Sequence, residues 1–130
     1  MDAARLKSVA PFDSLPDDER EKFAVWVGEL KVDAGRHLAE QGDYAYELFV
    51  IEDGRAEVHQ NGEKVAELGP GEFFGEMGVL EKAPRNATVV AATPMRLLTL
   101  SHWDVKRLER QWPEAVGQLR DVVEQRRGGS

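Results

Sequence analysis

The sequence predicts a mainly β domain with helices at both ends, and three observations predict it. From about residue 30 to residue 100, short runs rich in β-branched and aromatic residues alternate with glycine-containing turns. Ahead of them, apolar residues recur at helical spacing after an acidic stretch. Behind them, a serine–aspartate capping pair and a proline mark two further helical segments.

Residues 1 to about 29 read as helical. Ser14 is the expected cap, Pro16 suits a first turn, and Asp17, Asp18 and Glu19 complement the positive end of a helix dipole. Phe23, Trp26, Val27 and Leu30 then form one apolar stripe, whose simplest use is contact with the rest of the domain. Strands are expected over residues 30–32, 37–39, 47–51, 55–60, 64–68, 87–91 and 95–100. Asn61-Gly62 is a two-residue hairpin signal, and Asp53-Gly54 and Gly35 mark further turns. Many short, evenly spaced strands describe a sandwich or barrel. Ser101 with Asp104 three residues on approximates a capping box, so a helix over 102–110 is expected to stop before Trp112-Pro113. Pro113 can then open a second helix to about residue 126, carrying Ala115, Val116, Leu119, Val122 and Val123. That stripe is too short for more than a weak homodimer, so a monomer or weak dimer is expected.

Composition narrows the function. At 130 residues the chain is expected to be one domain over 1–130, with N-terminal helices to 29, the β region to 100 and C-terminal helices over 101–127. The absence of cysteine excludes disulfides, thiolate metal sites and a cysteine nucleophile, and fits a cytoplasmic setting. No apolar run reaches the roughly 20 residues of a membrane span. A net charge of −7 argues against direct nucleic acid binding by this chain, and any anion site must be made locally.

The densest chemistry lies in Phe74-Gly75-Glu76-Met77-Gly78-Val79-Leu80 and, four residues later, Arg85-Asn86-Ala87-Thr88-Val89. Glycines let backbone N–H groups approach an anion, and a short helix from about Gly75 would aim its positive end at the same point. Arg85 supplies a planar fork for a phosphate. Glu76 repels phosphate but accepts well from a sugar hydroxyl. An anion grip beside a hydroxyl acceptor suits a ribose phosphate that is held without being chemically changed.

This segment closely resembles the phosphate-binding cassette of the cyclic nucleotide-binding domain family, that of catabolite activator proteins and protein kinase A regulatory subunits. The family pattern, Phe-Gly-Glu, a small residue, Leu, then Pro-Arg-x-Ala-Thr-Val, is matched by Phe74-Gly75-Glu76, Gly78, Leu80 and Pro84-Arg85-Asn86-Ala87-Thr88-Val89. Upstream glycines at 35, 42, 54, 69 and 71 extend the likeness to roughly residues 12–108. The resemblance implies a double-stranded β-helix (jelly-roll) β-roll with N-terminal helices, an inserted phosphate-binding helix within a cassette over 74–89, and two C-terminal helices. It implies that Glu76 accepts from the ribose 2′-hydroxyl and Arg85 pairs with the cyclic phosphate. Backbone N–H groups near Gly75, Gly78, Asn86 and Ala87 would complete the site, with Val89 at the base. The implied ligand is a 3′,5′-cyclic nucleotide, with no cofactor and no metal. Family members that bind cAMP often carry Ala at the position of Asn86, whereas Thr or Ser there favours cGMP; Asn donates and accepts, and cAMP is favoured over cGMP. The expected role is a regulatory sensor that transmits occupancy through its terminal helices to an effector domain or partner outside this chain.

Other chemistries fit less well. His37, His59 and His102 lack the His-x-His pair of a metal-dependent cupin enzyme. No Gly-x-Ser-x-Gly occurs, and no Gly-Lys-Ser or Gly-Lys-Thr completes a P-loop. No enzyme is expected. The alternative from another class is a β-roll interaction module that no longer depends on ligand.

Overall fold

A computed structural model describes residues 2–7, 12–43, 47–75, 86–114, 117 and 121. Two 3₁₀ turns, Ala3–Leu6 and Phe12–Ser14, lead into helix α1 (Asp17–Ala24). Strands β1 (Gly28–Val32), β2 (His37–Ala39), β3 (Glu47–Asp53), β4 (Ala56–Gln60), β5 (Glu63–Leu68), β6 (Phe73–Phe74), β7 (Thr88–Ala91) and β8 (Met95–Ser101) follow, then helix α2 (His102–Gln111). They form two four-stranded antiparallel sheets in the orders β1-β8-β3-β6 and β2-β7-β4-β5. This is the mainly β jelly-roll that the sequence predicts.

The middle strands of the first sheet, β3 and β8, are buried on both faces along most of their length, which is why they read as nearly unbroken apolar runs. Edge strand β1, by contrast, leaves Glu29 and Lys31 exposed. Leu48, Val50, Leu98 and Leu100 join Phe12, Phe23, Val105 and Leu108 in a core beneath the helices. Phe49, Ile51, Met95 and Leu97 point the other way, into a roll interior shared with Val32, Ala39, Leu68 and Val89. Each such side chain contributes about 1.5–3 kcal/mol by leaving water. The β4–β5 hairpin turns on Asn61 and Gly62, with φ of 53° and 83°, the pair of positive values that a type I′ turn requires.

Several expectations at the N-terminal end need correction. Helix α1 stops at Ala24 and β1 starts at Gly28, so residues 1–29 are not helical throughout; Leu30 lies in the strand expected from residue 30 and not on the helical stripe. Ser14 ends a 3₁₀ turn, while Pro16 holds the N-cap position without a side-chain hydrogen bond. Buried Arg20 does the tying there, donating to the carbonyls of Phe12 and Leu15 and pairing with Asp17. The stripe nevertheless packs as expected, since Phe23 and Val27 lie in the core under the helices. Strand β6 is an addition that two residues could not announce alone.

The C-terminal expectations hold where they are described. The Ser101 and Asp104 capping box is reciprocal, and the Trp112 N–H closes α2 onto the Leu108 carbonyl at 2.7 Å. Residues 113, 114, 117 and 121 are helical. Ala115, Val116, Leu119, Val122 and Val123 of the expected stripe lie outside the described residues, as does the expected cassette helix beyond Gly75.

Candidate functional site

The chain leaves the first sheet at β6 and joins the second at β7, so the cassette connects the two sheets. At its start, β6 pairs with β3, and Phe74 stacks on Phe49 with ring centres 5.0 Å apart and planes 17° from parallel. Gly75 follows with φ of 92°, a conformation that strains any residue with a Cβ. The predicted Gly75 is therefore placed where the chain must turn left-handed off the sheet.

At the far end, Asn86 is exposed and Ala87 is buried at 8% exposure, just before β7. β7 lies between β2 and β4, with Thr88 opposite His59 and Val89 opposite Val58. Side chains from distant turns hold this end. The Gln60 amide donates to the Asn86 carbonyl at 3.1 Å. The Gln41 N–H donates to Thr88 Oγ1 at 2.9 Å, and the Gln41 side chain exchanges two hydrogen bonds with Asn61, at 3.0 and 2.8 Å. Val89, assigned to the base by resemblance, sits in the roll interior with Ala39, Leu68 and Phe74. Of the predicted site residues, Gly75, Asn86 and Ala87 are thus placed at the two ends of one connection. Glu76, Gly78 and Arg85 lie outside the described residues. Sequence reading missed Gln41 and Gln60, because their partners are 47 and 26 positions away and no local pattern links them.

The polar groups that hold the described part of the site are backbone groups, the Gln41, Gln60 and Asn61 amides and the Thr88 hydroxyl. The groups whose ionisation shifts lie elsewhere. The Arg5 guanidinium, bonded at 2.7 Å through Nε and again through Nη2, holds the Glu52 carboxyl below the usual carboxylate range, and Arg96 adds to this. Hydrogen bonds from the Trp112 indole, at 3.1 Å, and then from Lys22 lower Glu19 in the same way. Among the described residues no group of three or more His, Cys, Asp or Glu could hold a metal ion, and no helix is long and apolar enough to cross a membrane.

Two packed sheets, helices stacked on one of them, and a glycine-led connection between them define a β-roll domain. Residues 29–111 match the family described as cyclic nucleotide-binding domain, and the chain belongs to that family. The regulatory subunit of cAMP-dependent protein kinase from Schizosaccharomyces pombe is 34% identical over 124 residues, which cover 95% of this chain and 29% of that protein. A cyclic nucleotide-gated potassium channel from Rhizobium etli is 40% identical over 98 residues, covering 75% of this chain and 27% of the channel. The chain therefore spans less than a third of either curated relative. Among solved structures, the catabolite activator protein of Thermus thermophilus matches with a TM-score of 0.79 and 29% identity, over 89% of this chain and 57% of that one.

Proposed function

We propose that this chain is a regulatory sensor domain that binds one 3′,5′-cyclic nucleotide, cAMP in preference to cGMP, and does no chemistry on it. The observation that carries the reading is the framing of the cassette: a left-handed Gly75 at one end and an anchored Asn86 and Ala87 at the other, both beside the roll interior that contains Val89. In this reading Arg85 pairs with the cyclic phosphate and Glu76 accepts from the ribose 2′-hydroxyl. Backbone N–H groups at Gly75, Gly78, Asn86 and Ala87 donate to the phosphate and the ribose edge. The names of the kinase subunit and the channel support a cyclic nucleotide, and the first supports cAMP.

Transmission would run through α2. This helix packs Val105 and Leu108 onto the first sheet, stacks Arg107 over Trp26 at 4.1 Å, and ends where the Trp112 indole bonds Glu19 of α1. A ligand that favours one arrangement of these helices over another shifts their population, whereas equal binding to both shifts nothing. The output would lie in an effector domain or partner outside residues 1–130, with the chain itself one domain, monomeric or weakly dimeric and cytoplasmic. Calorimetric titration with cAMP, cGMP and cyclic dinucleotides tests the reading. One site per chain with cAMP tightest is expected, and the absence of heat and of thermal shift at millimolar cAMP and cGMP would refute it.

A further inference from the structure

We propose that Gln60, buttressed by the paired Gln41 and Asn61, is a positioning residue that sets nucleotide affinity without touching the nucleotide. The proposal rests on the sensor reading above and adds to it a device that the cassette itself does not contain. The Gln60 side-chain amide fixes the carbonyl of Asn86 at 3.1 Å. A trans peptide is planar, with its N–H directed opposite its carbonyl, so fixing that oxygen also fixes the direction of the Ala87 N–H. Ala87 is 8% exposed, and its N–H has no acceptor among the described residues. A buried donor in that state is costly unless something accepts from it, and a phosphate oxygen is such an acceptor.

The geometry makes Gln60 the natural holder. In the β4–β7 register His59 lies opposite Thr88, so Gln60 is the next residue out, level with Ala87 and one position past the last ladder pair. There the main-chain ladder has ended and a side chain takes over. Gln60 in turn precedes the hairpin turn, where Asn61 donates its N–H to Gln41 Oε1 and accepts from Gln41 Nε2. Gln41 closes the circuit by donating its own N–H to Thr88 Oγ1. Two segments far apart in sequence, one at Gln41 and one at Gln60-Asn61, therefore hold the chain at Asn86 and at Thr88, on either side of Ala87. Pre-set donors lose less freedom on binding than donors that must be ordered by the ligand, which is how a remote hydrogen bond raises affinity.

The test uses the whole chain with cAMP and cGMP as probes. Gln60→Met keeps the length of the side chain and removes its donor. Asn61→Gly suits the positive φ of the turn and removes the acceptor for Gln41 Nε2. Gln60→Met is expected to weaken both nucleotides about three- to tenfold by the same factor, and Asn61→Gly by a smaller one, with thermal midpoints of the free proteins close to the parent. In ¹⁵N-resolved spectra the Ala87 amide proton of the parent is expected to move downfield on binding, and that shift to shrink in Gln60→Met while the Gly75 shift stays. Parent-like affinity in both variants overturns the proposal and leaves the sensor reading standing. So does weaker binding with the Ala87 shift intact, since the loss would then arise elsewhere. Should Gln60→Met not fold, Asn61→Gly decides on the same two readouts. A parent that binds neither nucleotide overturns this proposal together with the sensor reading.

Discussion

At Arg85 the proposed function makes its sharpest demand on one side chain. A guanidinium offers a phosphate two parallel bonds where an ammonium offers a point charge. Arg85→Ala is expected to cost about 2–5 kcal/mol of binding, tens- to thousands-fold in Kd by titration, with Arg85→Lys between it and the parent. An alanine variant within about threefold of the parent would remove the phosphate assignment. Gly54 makes a different demand, on stability. Its φ is 96°, and a Cβ there would sit 2.5 Å from the Pro94 carbonyl oxygen and 2.8 Å from Met95 Cγ. The main-chain oxygen cannot step aside without moving the turn that begins β8. Gly54→Ala should therefore lower unfolding free energy by roughly 1–3 kcal/mol in urea titrations, with nucleotide affinity of the folded fraction unchanged.

At the scale of elements, α2 and the N-terminal 3₁₀ turn are the attachments that matter. Helix α2 is joined to α1 through the Trp112 indole and Glu19, and to the first sheet through Leu108, which is wholly buried. Nucleotide is expected to slow amide exchange over residues 101–126, and Trp112→Phe, which keeps the ring and deletes the N–H donor, should reduce that protection more than it reduces affinity. Slowing confined to the cassette would mean that ligand binds without being read out through the helix. The first 3₁₀ turn is held by Arg5, which pairs with Glu29 of β1 and Glu52 of β3. The Glu52 carboxyl is depressed on folding, so its contribution is complete above the ordinary value of 4.5 and is lost as pH falls through the lower folded value. Glu52→Gln should accordingly be less stable than the parent at pH 7, with the gap closing as the medium is acidified below that value. A gap independent of pH would show that the ion pair adds nothing to stability.

For the whole molecule, binding and folding are linked. A ligand that binds only the folded chain stabilises it by RT ln(1 + [L]/Kd), about 2.7 kcal/mol at a hundredfold excess over Kd. For a chain of this size, that amounts to a rise in Tm on the order of 10 °C. The same excess of cAMP given to Arg85→Ala should raise Tm far less. The sheets make such linkage direct, because the cassette starts from one sheet and ends in the other while both share the interior around Val89 and Phe74.

The roll, its hairpin and the capping of α2 were legible because each depends on residues only a few positions apart. Asn61-Gly62 needs nothing beyond itself to favour positive φ, and Ser101 meets Asp104 within one turn. Membership of the family was equally local, written in Phe74-Gly75-Glu76 and in Pro84-Arg85-Asn86-Ala87. What only the tertiary structure decided depends on partners distant in the chain. Gly28 becomes strand because it pairs with Thr99, which overrides a helical stripe that Phe23 and Trp26 otherwise extend to Leu30. Phe73 and Phe74 become strand because Val50 and Phe49 lie beside them. Gln60 reaches the Asn86 carbonyl only where the hairpin places it level with Ala87. Local propensity is a free energy of a few tenths of a kcal/mol per residue, and a strand pairing or a buried ring outweighs it, so the boundaries and the supports of the site were set by the fold.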